Sequence, residues 1–244
     1  MLGLCRDLSD DEWQKPSAAA GWRVQDVVAH MGSSCHALFH PDAVRIFRST
    51  QIERTNDELV AERRSWTPAQ TLAEYERWSG RGLAVLRRLS RTPLARLRIP
   101  IGELGRFPVE QMVGAVVFDT HCHLRHDISP VLGRPAPATD GNRLAIIADW
   151  MMAVLGNDLR ANPRDWCDRD IAITLTGSGG GTWFIDRDGG VRVGHRDAAA
   201  AVIIGRAAEF PEWGTARARW REKHVTVDGD TEYGVRFLDA LNIV

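Results

Sequence analysis

Hydrophobic periodicity changes once along this 244-residue chain, and that change constrains the fold more than any single motif. Up to about residue 155 the apolar residues recur at helical spacing, and from about residue 170 they alternate. Val24, Val27, Val28 and Met31 stand at i, i+3, i+4 and i+7, one face of an amphipathic helix. By contrast, Asp170-Ile-Ala-Ile-Thr-Leu-Thr has period two. Gly177 to Gly181 separates it from Thr182-Trp-Phe-Ile-Asp, so the two runs read as a hairpin. Val191 to Gly194, Ala200 to Ile204 and His224 to Gly229 read as further strands. Phe210 to Trp220 reads as a helix started by Pro211, and Thr231 to Leu241 as a closing amphipathic helix. The expectation is an all-helical part followed by a small α+β part. The corresponding domains are residues 1–135 and 136–244, with a helix at about 142–155 leading into the second.

Within the helical part, Leu8 to Trp13 reads as a short helix or a loop entering one. The helix from Trp22 places His30 at the border of its apolar face, turned toward the core, and Pro41 ends the segment. Ile52 to Arg64 alternates charges and reads as a solvated helix or an exposed connection. Thr67 and Pro68 form a helix start, with the helix running to about Ser90. Arg91 to Phe107 carries two prolines and two glycines and reads as a connection. A further helix opens near Pro108 and Glu110 and continues through Phe118–Ile128 to Ser129-Pro130. After a linker at Arg134 to Thr139, Asp140 or Asn142 caps a helix over Leu144 to Leu155 that is apolar on most sides.

Composition excludes several classes of function. A net charge of −1 argues against a nucleic-acid protein, whose affinity rests on neutralising phosphates. No run reaches the ~18 apolar residues of a membrane span. The N-terminus is too soon acidic for a signal peptide, so a cytoplasmic location is expected. Cys5, Cys35, Cys122 and Cys167 form no C-x-x-C pair and are expected to be reduced thiols. Of 31 basic residues only Lys15 and Lys223 are lysine, an arginine bias typical of a GC-rich genome. Eight arginines lie between Arg77 and Arg106. They read first as a solvated helix face, with a site for an anionic substrate as the functional option.

Chemistry concentrates in Phe118-Asp-Thr-His-Cys-His-Leu-Arg-His-Asp-Ile128, which holds three of the eight histidines. On a regular helix Asp119, His123 and His126 share one face. An i,i+4 carboxylate–His pair offers a metal two adjacent ligands. His30, from the other apolar helix, can supply the third inside a helical bundle. Three protein ligands and one open position are what catalytic zinc requires. The competing reading makes His30 and His123 hydrogen-bonded core residues. His121 falls on another face, His126 is a possible fourth or substitute ligand, and Asp127 a possible outer partner. The Gly177–Gly181 run lacks the helix and Gly-Lys-Ser/Thr of a phosphate loop and reads as a turn. No Gly-x-Ser-x-Gly elbow stands between a strand and a helix.

Gly21-Trp-Arg-Val-Gln-Asp-Val-Val-Ala-His30 resembles the opening signature of the mycothiol-dependent maleylpyruvate isomerase N-terminal domain, part of the DinB-like four-helix superfamily. Asp119-x-x-x-His123 resembles that family's second metal motif, usually Glu-x-x-x-His. Asp140 to Gly156, Leu175-Thr-Gly with Gly181-x-Trp183, and Asp228 to Val244 resemble its SCP2-like C-terminal domain. The resemblance implies a DinB-like metal-binding four-helix bundle followed by a small α+β SCP2-like domain. It implies His30, Asp119 and His123 as ligands to a divalent metal, zinc first among them. It implies mycothiol, or a similar low-molecular-weight thiol, as cosubstrate. The type reaction is a cis–trans isomerisation in which a thiolate adds to an activated double bond, the bond rotates, and the thiol leaves. Relatives include S-transferases. The thiol belongs to actinobacteria, which agrees with the arginine bias. Asp119 replaces the usual Glu and reaches one methylene less far. The family's first helix is also longer than Met1 to Trp13 allows. A late start would explain this, and a truncated helix would leave an exposed apolar groove. The leading expectation is a metal- and thiol-dependent isomerase or S-transferase acting on a small molecule. Its rival is a non-catalytic carrier that holds a small ligand in the α+β domain.

Overall fold

Val24, Val27, Val28 and Met31 do form one stripe of a helix, and the structure, a computed structural model describing residues 1–194 and 199–243, centres its first unit on it. That helix, α3 (Val24–Ala37), has every residue from Val24 to Ser33 buried, so it is enclosed on all sides rather than amphipathic. It starts where the Asp26 carboxylate accepts hydrogen bonds from the Arg23 backbone N–H and guanidinium at 2.9 Å, satisfying a free helix-end donor. It ends at Ala37, ahead of Pro41.

Around α3 lie α1 (Leu2–Arg6), α2 (Asp10–Gln14), α4 (Asp42–Phe47), α5 (Ile52–Ala61), α6 (Pro68–Leu89) and α7 (Met112–Cys122). Ser9 and Glu12 form a capping box on α2, and Thr67 and Gln70 form one on α6, as the Thr67-Pro68 start predicts. The main packing is α3 on α6. Gly32 allows it, because a Cβ there would press on Glu74 Oε2 and the Tyr75 backbone nitrogen at 3.3 Å.

Two expectations fail in this unit. Ile52, Leu59 and Val60 of α5 are buried, as is Arg63, so this segment is only partly solvated. The expected connection holds a two-stranded hairpin, β1 (Arg98–Pro100) with β2 (Arg106–Pro108). Its turn is made by Gly102 and Gly105, both at positive φ, and its prolines are tolerated on a two-stranded ribbon. The first part is therefore not all-helical.

The chain divides into two compact units, Met1–Pro137 and Ala138–Val244. The second opens with α8 (Gly141–Ala161), capped by Asp140 and longer than the expected helix. Its sheet has the order β5-β4-β3-β6-β7, with β3 (Ile171–Thr176), β4 (Gly181–Ile185), β5 (Val191–Val193), β6 (Ala201–Arg206) and β7 (Thr226–Gly229). β3 runs parallel to β6, and the other pairs are antiparallel. α8 packs on β4 and β5, and α10 (Thr231–Asp239) on β6 and β7. The glycine run is a hairpin turn, with Gly177 and Gly179 at positive φ. A Cβ at Gly179 would collide with the Gly141 carbonyl, so the turn fits closely against the start of α8. The expected Phe210–Trp220 helix shortens to α9 (Phe210–Trp213). Phe210 and Trp213 are buried, and the chain leaves the helix with Ala216 at φ 54°. Val244, the last residue of the C-terminal motif, lies outside the described residues. Among the described residues no helix is long and apolar enough to cross a membrane.

Candidate metal centre

His30 sits mid-way along α3, inside its fully buried stretch. Asp119 and His123 lie one turn apart where α7 gives way to a π-helical turn, His123–Ile128. His30 Nε2 is 3.3 Å from Asp119 Oδ2, and His123 Nε2 is 3.3 Å from Asp119 Oδ1. The three side chains offer ligand atoms all within 4.8 Å of one another.

The two 3.3 Å His–Asp separations are longer than close charge-assisted hydrogen bonds and match the spacing of two ligands on one ion. Charge-assisted N–H···O bonds close to about 2.7–2.9 Å. Two donors at ~2.0–2.1 Å from one tetrahedral ion stand roughly 3.3 Å apart. Two imidazoles and one carboxylate are also a donor set that zinc accepts. His30 Nδ1 is buried and finds no hydrogen-bond partner among the described residues, so Nε2 alone orients that ring on a polar group.

His123 is tied at its other nitrogen. Asp127 Oδ2 lies 2.6 Å from Nδ1, and both residues are buried. The π-turn explains why Asp127 takes this place and His126 does not. A wider i→i+5 turn advances by a smaller angle per residue than an α-helix. The Ser129 N–H donates to the Leu124 carbonyl at 3.0 Å, a bond of that wider kind. Asp127 therefore stays under His123, and His126 swings off the Asp119–His123 face. His126 stands edge-on to His121 instead, with ring centroids 6.2 Å apart. The expected Asp119-His123-His126 face is thus corrected: among the described residues His126 is not one of the converging groups, and it stands with His121, from which the helical spacing separates it.

The electrostatics follow from this enclosure. Burial works against the charge of Asp119, yet the facing His30 and His123 hold its carboxyl well below the usual carboxylate range. Burial likewise works against a charged His123, but Asp119 and then Asp127 push its pKa up to about 9. Burial, with Asp119 adding to it, pushes the Cys35 thiol up to about 12. Cys35 is a packed neighbour with no thiolate character. All four cysteines are free, as expected.

Sequence reasoning missed two neighbours. Trp22 lies over both imidazoles, 5.1 Å from the His30 ring and 6.2 Å from that of His123. Its Nε1 donates to Asp57 Oδ1 at 2.8 Å, which fixes the indole. A Trp eight residues before His30 is indistinguishable from a core residue until the loop folds back. The second is Glu74, whose carboxylate accepts from Arg63 Nε at 2.6 Å and Nη2 at 2.8 Å. His36 Nδ1 lies 2.8 Å from the same carboxylate. This buried group braces α3 against α6 from behind the site.

Residues 1–128 match the family described as "Mycothiol maleylpyruvate isomerase N-terminal domain". The chain belongs to that family. Two solved structures agree with it in fold. The mycothiol-dependent maleylpyruvate isomerase matches at 14% identity and a TM-score of 0.55, covering 93% of this chain and 86% of that one. A mutant of a mycothiol-dependent maleylpyruvate isomerase matches at 13% identity with the same score and coverage. A sterol carrier protein 2-like protein from Aedes aegypti matches 41% of this chain at 12% identity, with a TM-score of 0.35 that carries no weight. A comparison with curated proteins finds no match. Family membership supports a thiol-dependent enzyme, and the carrier reading is not favoured.

Proposed function

We propose that this member of the isomerase family is a metal-dependent enzyme using mycothiol, or a similar small thiol, in an isomerisation or S-transfer on a small molecule. His30, Asp119 and His123 hold a divalent ion, zinc first among the candidates. The convergence of these three side chains from two helices carries the reading. When bound, the ion supplies stabilisation of a thiolate at neutral pH.

The chain's own residues then have separable tasks. His30 and His123 present Nε2 to the centre. Asp127 accepts the Nδ1 proton of His123 and so holds its tautomer and ring plane. Trp22 covers both rings and keeps water off them. Asp119, its side chain 32% exposed against 7% for His30 and 10% for His123, is the most open of the three. We read α3, α5, α6 and α7 as the DinB-like bundle and residues 136–244 as the SCP2-like domain.

Elemental analysis of protein purified without chelator tests the centre. Near-stoichiometric divalent metal is expected in wild type and its loss in both His30→Ala and His123→Ala. Thiol-dependent turnover of maleylpyruvate, or conjugation of an electrophile, should vanish with the metal. Wild-type protein that is metal-free and takes up no added zinc would sink the reading.

A further inference from the structure

The net charge of −1 conceals a strongly basic region on the N-terminal unit. Residues 77–106 contain Arg77, Arg81, Arg87, Arg88, Arg91, Arg96, Arg98 and Arg106 against a single acid, Glu103. All eight arginines are exposed. None forms an ion pair among the described residues, although Arg6, Arg45, Arg134, Arg164 and Arg221 do. Glu103 is engaged elsewhere, accepting from the Ile52 backbone N–H at 2.7 Å.

Six of the arginines gather at one place in the fold. Arg87 and Arg88 occupy the last turn of α6, where they also offset the helix dipole. Arg91 follows, and Arg96 closes the 3-10 turn Pro93–Arg96, which packs on α6. Arg98 and Arg106 lie on β1 and β2, each donating to the other's backbone carbonyl across the hairpin. Among them stand two leucines that the core does not use, Leu94 at 52% and Leu97 at 56% exposure. The same turn buries Ala95, so its register is set by the core and the leucines are held outward.

We infer that the C-terminal end of α6, the Pro93–Arg96 turn and the β1–β2 hairpin form a docking surface for an anionic lipid membrane. Guanidinium groups with no carboxylate partner match the phosphates of anionic headgroups. Two outward leucines can enter the boundary between headgroups and acyl chains, while the arginine stems lie along it. A nucleic-acid backbone would satisfy the arginines but give the leucines nothing to contact. Association at this surface is peripheral. The inference is independent of the metal centre.

Flotation of the full-length protein with vesicles tests it. Binding is expected to vesicles of equal parts phosphatidylglycerol and phosphatidylcholine, not to phosphatidylcholine alone, and should weaken with added salt. The Arg87→Gln/Arg88→Gln/Arg91→Gln variant should lose at least about tenfold in binding, since each basic residue near an anionic surface contributes separately. Leu94→Ser/Leu97→Ser should weaken binding while leaving its salt dependence in place. Circular dichroism and metal content unchanged from wild type would show that these exposed substitutions leave the fold intact. The proposal is overturned if wild type ignores the anionic vesicles at low salt, or binds both vesicle types alike. It is also overturned if the leucine variant binds vesicles as wild type does while wild type binds an RNA oligonucleotide more tightly than lipid.

Discussion

The two units treat buried polarity in opposite ways. Among the described residues, the N-terminal unit buries Asp26, His30, Arg63, Glu74, His123 and Asp127, while Thr215 is the one buried polar residue of the C-terminal unit. The C-terminal unit keeps its charges on the surface, in pairs such as Arg221–Asp239 and His224–Glu209. Its sheet and helices bury Ile171, Ile173, Ile203, Phe210 and Phe237. Desolvating a charge is costly, and such groups persist only when paired and hydrogen-bonded. A unit that carries so many has its polarity organised, with one part bracing helices and the other converging on a point. The bracing cluster of Arg63, Glu74 and His36 links helices, whereas Asp119 has imidazoles on both sides and a side chain 32% exposed. That contrast separates structural from chemical polarity within one helical unit.

The largest test of the contrast is Glu74→Ala, which strips buried Arg63 of its bidentate carboxylate and leaves it the Leu59 carbonyl and the exposed Glu62, 3.8 Å away. It should cost about 3–5 kcal/mol of stability, read from the urea midpoint. Asp239→Ala, which breaks the surface pair, should move that midpoint little. Equal losses at the two positions would remove the distinction between the units.

A smaller effect separates Asp127 from His126. Asp127→Ala should weaken zinc affinity by about 10–100-fold, the usual range for a partner behind a ligand. His126→Ala should leave it unchanged by isothermal titration, because the π-turn carries that ring off the face. The reverse ranking would restore His126 as a ligand.

The smallest effect concerns pH. His123 has its pKa raised from 6.5 to about 9 in the metal-free fold. A raised pKa stabilises the fold fully below 6.5, and that contribution is lost as pH climbs through about 9. A metal ligand must be deprotonated. The difference in unfolding midpoint between zinc-loaded and metal-free protein should therefore widen as pH rises over this window. A constant difference would mean that His123 carries no proton for the ion to displace.

Much of this was readable in the residues. Thr67-Pro68 and Asp140 mark helix starts because capping is local, and the strands after residue 170 declare themselves by alternation. The β1–β2 hairpin was not readable, since its short strands lack alternation and carry prolines. Arg63 looked solvated because its neighbours are charged, and its burial rests on the Glu74 carboxylate arriving from α6 together with the Leu59 carbonyl. The Phe210–Trp220 helix was overestimated because the chain leaves the helical conformation at Ala216, φ 54°, a left-handed position that an alanine does not announce in the sequence.

By itself the sequence determined the periodicity, the helix starts, and the adjacency of Asp119 to His123, because each depends on residues within one or two turns. It also singled out His30 as an inward-facing histidine. Tertiary structure decided the rest: that α3 brings His30 to Asp119, that Trp22 folds over both rings, and that the π-turn places Asp127 rather than His126 beneath His123. Those outcomes depend on how distant elements approach and on how the helix widens where they meet, and a linear pattern encodes neither.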